Sequence, residues 1–186
     1  MAASPMPTLK TGAALAIVVL AACATAPPMP TRSPALGAPV TNAELATWDI
    51  SIPPSGEGLP PGSGTARQGV RVYEQKCASC HGVKGVGKPA DALAGGRDTL
   101  ATQVPVRTVG SYWPYATTLF DYVRRAMPIT NPLSLTNDEV YAVSAYVLYL
   151  NGIIGEEEPM NARTLPRVRM PNRDGFIDDW KARTHR

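Results

Sequence analysis

Cys77-Ala78-Ser79-Cys80-His81 is the stretch of this sequence that decides the fold. The spacing C-x-x-C-H is the signature of covalent haem attachment. Two thiols on one helical turn can each add to a vinyl group of the haem, and the adjacent histidine then lies beneath the iron as its proximal ligand. The motif therefore predicts haem c, bound through Cys77 and Cys80 with His81 on the iron. It occurs once in the chain, which predicts one haem.

Other interpretations of two nearby cysteines fit this sequence less well. A thioredoxin-like C-x-x-C requires a βαβ setting, whereas a Gly-rich loop and helical patterns follow this motif. A zinc site requires four ligands, and one of the three Cys and one of the two His lie far from the motif. A disulfide between Cys77 and Cys80 would leave His81 without a role.

The composition predicts one small domain with an extension at each end. The chain has 186 residues, and its 19 Pro and 16 Gly are concentrated in 27–64. We therefore predict a Pro/Gly-rich tether and strap over 23–63, a domain over 64–152 and an extended tail over 153–186. The apolar patch 48–52 in the strap would cover either this domain or a partner. The net charge of +3 comes from mixed basic and acidic residues, so no basic stripe suggests nucleic-acid binding.

The N-terminal segment 1–22 is predicted to be an export signal. Lys10 precedes an apolar run that is too short to span a bilayer as a stable helix. The run ends in Leu20-Ala21-Ala22-Cys23, which resembles the lipobox of bacterial lipoproteins, in which the cysteine is lipidated. Ordinary cleavage at an A-x-A pattern a few residues later is the alternative. In either case we expect an exported, periplasmic protein. In the lipoprotein case, a lipid anchor on Cys23 is its one contact with the membrane.

Helical periodicity predicts an all-α domain. The first helix begins after Thr65, whose capping-box partner is Gln68, and the last helix spans about 136–151. A middle helix lies near 118–126. Gly69 falls on the buried stripe of the first helix, which predicts that another helix backbone approaches closely there. No alternating pattern indicates a strand.

Elimination favours Met127 as the second axial ligand of the iron. The other histidine, His185, is next to last in the chain, so bis-histidine ligation is not expected. Met127 precedes Pro128, which ends the helix and makes the loop rigid. The alternatives are Met170, Met160, a lysine or an open site, and Met127 could instead be a core residue. A Met/His pair raises the reduction potential and favours electron transfer over oxygen chemistry.

Further residues are predicted to surround the haem. A ligating histidine usually donates its second ring N–H to a carbonyl, and the loop after the motif can supply that carbonyl from Pro89. Three residues before the middle helix either hold the haem propionates or pack at the rim: Arg107, Tyr112 and Trp113. Three lysines either steer an acidic redox partner or are ordinary solvated side chains: Lys76, Lys84 and Lys88.

The chain resembles the class I cytochrome c family. The resemblance covers about 65–152 and rests on Gly69, Tyr73, the C-x-x-C-H motif, the Met127-Pro128 loop and a closing helix with Tyr146. It implies a haem wrapped by three main helices.

Three longer stretches resemble the SoxD-type cytochrome subunit of sulfur or sulfite dehydrogenases. They are 48–62 (WDISIPPSGEGLPPG), 109–122 (VGSYWPYATTLFDY) and 169–176 (RMPNRDGF). In that family the cytochrome accepts electrons from a molybdenum-cofactor subunit that oxidises sulfite or protein-bound sulfur. The resemblance implies a non-catalytic electron acceptor that passes electrons on to a downstream cytochrome or oxidase. The alternatives are a general shuttle between respiratory complexes and a haem sensor or enzyme with an open axial position.

Overall fold

The structure is a computed structural model that describes residues 36–177. It consists of helices joined by long loops. The predicted signal segment 1–22, Cys23 and His185 lie outside the described residues. The chain divides after Asn42, and the fold below is that of 43–177. The helices are α1 (Asn42–Trp48), α2 (Ala66–Lys76), α3 (Ala78–His81), α4 (Ala116–Ala126) and α5 (Asn137–Leu150), with 3₁₀ turns at Val83–Gly85 and Leu165–Arg167 and strands β1 (Ser63–Gly64) and β2 (Met160–Asn161).

Capping boxes begin the first and last of the long helices, as predicted. The Thr65 N–H donates to the Gln68 side chain over 2.9 Å, and the Thr65 hydroxyl accepts from the Gln68 N–H. Thr136 and Glu139 form the same pair at the start of α5. Each box satisfies two backbone donors that a helix start leaves free.

Helix α4 begins two residues before the predicted 118–126. Its N-cap residue, Tyr115, makes no side-chain capping bond, so the sequence carries no local signal for this start. The predicted helical fold is confirmed otherwise, with a two-residue ladder as the only β-structure among residues 36–177. No helix in this described part of the chain combines the length and apolar character that crossing a membrane requires.

Helices α2 and α5 cross in close contact at Gly69. A Cβ atom at Gly69 would overlap the carbonyl of Ala142 and lie 2.8 Å from the Cβ of Tyr146. One turn further along each helix, the rings of Tyr73 and Tyr146 pack with centroids 5.2 Å apart. The predicted backbone approach at Gly69 is therefore confirmed. The contact fixes the position of α2 and so of the C-x-x-C-H segment that follows it.

The strap before α2 lies on its own domain. The Ile52 N–H donates to the carboxylate of buried Asp121 over 2.9 Å, and the same carboxylate accepts from the Arg125 side chain over 3.0 Å. Further along, the Tyr141 hydroxyl donates to the Pro60 carbonyl over 2.9 Å. The patch 48–52 was predicted to cover either this domain or a partner. Its Ile52 side chain packs into this domain's own core.

The tail after α5 completes the core. Strand β2 pairs antiparallel with β1, with Gly64 opposite Met160. Apolar side chains of the tail are buried in the same cluster as those of α4 and α5. The core therefore extends beyond both ends of 64–152, through Ile52 on one side and, on the other, through Met160, Leu165, Val168 and Met170.

We expect Gly69→Ala to lower the free energy of unfolding by about 1–3 kcal/mol, as overpacking of a core does. The loss should appear although Ala is favoured over Gly inside a helix by up to ~1 kcal/mol. Denaturant titration of the purified protein measures it. Gly155→Ala is the control, because a Cβ there meets nothing within 4 Å; equal stabilities of the two variants would contradict the close crossing.

Candidate haem site

An apolar cavity of about 240 Å³ lies between α2, α4, α5 and the chain around the C-x-x-C-H motif. Ligand pockets are concave and lined mostly by apolar side chains, so this cavity is a candidate site for a bound group. Its apolar wall includes Leu93, Val109, Trp113, Leu119, Val123, Val143 and Val147.

A single helical turn presents the thiols and the imidazole. Cys77 ends α2 with its N–H on the Tyr73 carbonyl, and its own carbonyl accepts from the N–H groups of Cys80 and His81 over 3.1 and 3.0 Å. Cys77 and His81 line the cavity, whereas Cys80 is exposed beside it. The two cysteines do not form a disulfide. Before haem attachment, burial, and secondarily Cys80, raise the pKa of the Cys77 thiol to about 11.

The ring of His81 is oriented by a backbone carbonyl. Its Nδ1 lies 2.8 Å from the oxygen of Asp91. Because a carbonyl only accepts, Nδ1 carries the proton and Nε2 keeps the lone pair that binds a metal.

The prediction that Pro89 supplies this carbonyl is wrong. The N–H of Gly87 bonds the His81 carbonyl, and the N–H of Ala90 bonds the Cys80 carbonyl. The loop thus turns back along the motif and places the residue after Ala90 next to the ring. Pro89 is exposed and does not line the cavity.

Met127 reaches the same cavity from the end of α4. Helix α4 ends there, since the Met127 N–H still bonds the Val123 carbonyl while its backbone is extended. Met127 and Pro128 both line the cavity. The alternative methionines, Met160 and Met170, are 0% and 1% exposed within the core and do not line it. The structure thus brings His81 and Met127 to one cavity, and their role as axial ligands stays a prediction.

The three residues predicted around the propionates separate into two groups. Arg107 and Trp113 line the cavity. Tyr112 is exposed at its rim, where its ring lies 5.5 Å from the Arg107 guanidinium carbon. Of the three flanking lysines, Lys76 lines the cavity.

Two contributions to the site carry no clear sequence signal. Asp91 acts through its backbone carbonyl, which every residue type possesses. The Tyr73 hydroxyl donates to the Gly82 carbonyl over 2.8 Å and so ties α2 to the loop after the motif. Burial raises the pKa of Tyr73 to about 12, so this donor keeps its proton.

The residues present fit haem c. The cavity is apolar, two thiols lie one turn apart, and an oriented imidazole and a thioether reach the same space. Among residues 36–177, no three His, Cys, Asp or Glu side chains cluster to hold a bare metal ion. When bound, haem supplies a reversible one-electron couple at its iron.

Comparisons with known proteins agree with this chemistry. The family model for cytochrome c oxidase, cbb3-type, subunit III matches residues 64–147. A chain of the crystal structure of the sulfane dehydrogenase SoxCD from Paracoccus pantotrophus is 38% identical with a TM-score of 0.75. The alignment covers 82% of this chain and 75% of that chain. No curated protein matched.

The chain therefore belongs to the class I c-type cytochromes, and it is an electron-transfer cytochrome. Within that class it is similar to the SoxD type, as the resemblance of its longer stretches predicted.

We expect Met127→Ala to abolish the methionine-to-Fe(III) charge-transfer band and to lower the reduction potential, because Met/His ligation raises it. Absorption spectra of the oxidised protein and a potentiometric titration measure both changes. Met170→Leu is the control and should keep the band, because Met170 is buried away from the cavity. A native spectrum in Met127→Ala would disprove the assignment.

Proposed function

We propose that this protein is a periplasmic mono-haem electron carrier that accepts electrons from a molybdenum-dependent sulfite or sulfur dehydrogenase. The observation that carries the proposal is the 38% identity to a chain of sulfane dehydrogenase SoxCD over 82% of this sequence. Catalysis at sulfur takes place on the partner, and this chain is not itself an enzyme. It passes its electrons to a downstream cytochrome or oxidase.

The residues of the cavity suit this role. Cys77 and Cys80 would hold the haem covalently, and His81 and Met127, which line the same cavity, would bind its iron. With both iron ligands supplied by the protein, a substrate would have no open position on the iron, and the haem would supply only a one-electron couple. Sulfite oxidation to sulfate uses one water and releases two protons and two electrons, so one sulfite reduces two molecules of a one-haem protein.

The surface beside the motif supports docking of an acidic partner. Lys76, Lys84 and Lys88 are exposed around it, with Val83 and Val86, which are 74% and 70% exposed. Exposed positive charge near exposed apolar side chains is the kind of surface that steers association with a complementary acidic face.

Reduction by sulfite should require the dehydrogenase. The full mature chain, carrying a purification tag, would be isolated from its host with any bound molybdenum protein and then separated from it. We expect sulfite to reduce the oxidised haem only after the molybdenum protein is added back, as absorption spectroscopy follows. A Lys84→Glu variant should react more slowly at low salt and equally at high salt.

Two results would reject this proposal. Reduction by respiratory donors with no response to sulfite and the molybdenum protein would make the chain a general shuttle. Ready binding of carbon monoxide to the ferrous protein would indicate an open axial position and a sensor or enzyme.

We also propose that a lipid on Cys23 attaches the protein to the membrane. The support is the string Leu20-Ala21-Ala22-Cys23 at the end of the apolar run, and the fact that the haem uses only the other two thiols. Mass spectrometry of the N-terminal peptide should show a mature chain that begins with a lipid-modified Cys23. A peptide that begins at Thr25 or Pro27 would instead show ordinary signal cleavage.

A further inference from the structure

The C-terminal segment 169–177 packs against the chain before α4, at Tyr112 and Tyr115. The Asn172 amide donates to the Tyr112 carbonyl over 2.8 Å. The ring of Phe176 meets the ring of Tyr112 edge-on, with centroids 5.2 Å apart. The Arg173 guanidinium lies over the Tyr115 ring at 4.5 Å. The segment therefore holds both the backbone and the ring of Tyr112.

Tyr112 in turn contacts a charge that faces the cavity. The guanidinium carbon of Arg107 lies 5.5 Å from the centroid of the Tyr112 ring, within the range of a cation–π contact. Arg107 lines the haem cavity. A series of contacts, from Phe176 to Tyr112 and from Tyr112 to Arg107, thus runs from the tail to a residue that lines the cavity.

Buried hydroxyl groups already fix the backbone beneath Arg107. The Thr108 hydroxyl donates to the Gly95 carbonyl, and the Ser111 hydroxyl donates to the Val106 carbonyl, both over 2.6 Å. The Thr108 N–H donates to the Ser111 hydroxyl over 2.9 Å. These bonds do not involve the tail, which contacts the backbone carbonyl and the ring of Tyr112 instead.

We propose that Phe176 and Asn172 are positioning residues that act through Tyr112 to hold the Arg107 guanidinium at the cavity, and that this sets the reduction potential of the haem. An oxidised haem carries one more positive charge than a reduced one, so a fixed cation nearby favours the reduced form. That interaction is stronger at the edge of an apolar cavity than in water. A guanidinium released into solvent is hydrated and screened by salt, and its effect on the iron is smaller.

The proposal requires haem in the cavity but not the sulfur dehydrogenase. It is tested on the purified holoprotein alone, so its failure and that of the proposed partner are independent. The measurement is the midpoint potential from a potentiometric titration of Phe176→Ala, Arg107→Met and the double variant. Ile177→Ala is the control, because the adjacent Ile177 is 85% exposed.

We expect Phe176→Ala to lower the potential and Arg107→Met to lower it further. In the Arg107→Met background, Phe176→Ala should cause no further change, which is the signature of two residues that act through one contact. Phe176→Tyr should keep the potential of the unmodified protein, because it keeps the aromatic contact with Tyr112. Ile177→Ala should leave it unchanged.

Asn172→Ala provides a second variant should Phe176→Ala fail to fold. It should also lower the potential, and it should cause no further change in the Arg107→Met background. Shifts that add in the double variant would overturn the proposal, since they would mean that the tail acts by covering the cavity. An unchanged potential in both Phe176→Ala and Asn172→Ala would also overturn it.

Discussion

The close crossing of α2 and α5 at Gly69 is the contact on which the rest of the structure depends. It lets the two helix backbones approach without intervening side chains, and it sets the direction in which α2 runs to Cys77. The same crossing places Val143 and Val147 of α5 on the far wall of the cavity. A wider separation of α2 and α5 would move the C-x-x-C-H motif away from the cavity wall that α5 forms. The crossing therefore helps to set the size of the cavity, although Gly69 itself does not line it.

The helices could be predicted because their signals are local. Thr65 and Thr136 each stand three residues before a capping partner, and those bonds form in the structure. The start of α4 at Ala116 was missed because nothing caps it, and the ladder of β1 and β2 was missed because two residues cannot show an alternating pattern. Local chemistry leaves a mark in the sequence, whereas pairing between distant segments does not.

The same distinction applies to the site. The covalent motif and the Met127-Pro128 loop have spacing or residue types that few other functions need, and both reach the cavity. The partner of His81 was assigned to Pro89 and is Asp91, because a backbone carbonyl has no identity in a sequence. Tyr112 was predicted either to hold a propionate or to pack at the rim, and the structure shows it in contact with Arg107 and with the tail. Its contacts depend on a segment about sixty residues away in the chain.

Because the tail is part of the core, the segment that carries the haem-binding residues is shorter than the segment that forms the complete domain. A polypeptide that stopped after α5 would possess every thiol, imidazole and thioether of the cavity. It would still lack Leu165 and Met170, which are fully buried in the finished molecule, and β1 would have no strand beside it. The portion of the gene that encodes the cofactor chemistry is thus shorter than the portion that encodes a stable domain. A haem-binding fragment defined by its motif alone would have its redox chemistry but an incomplete core.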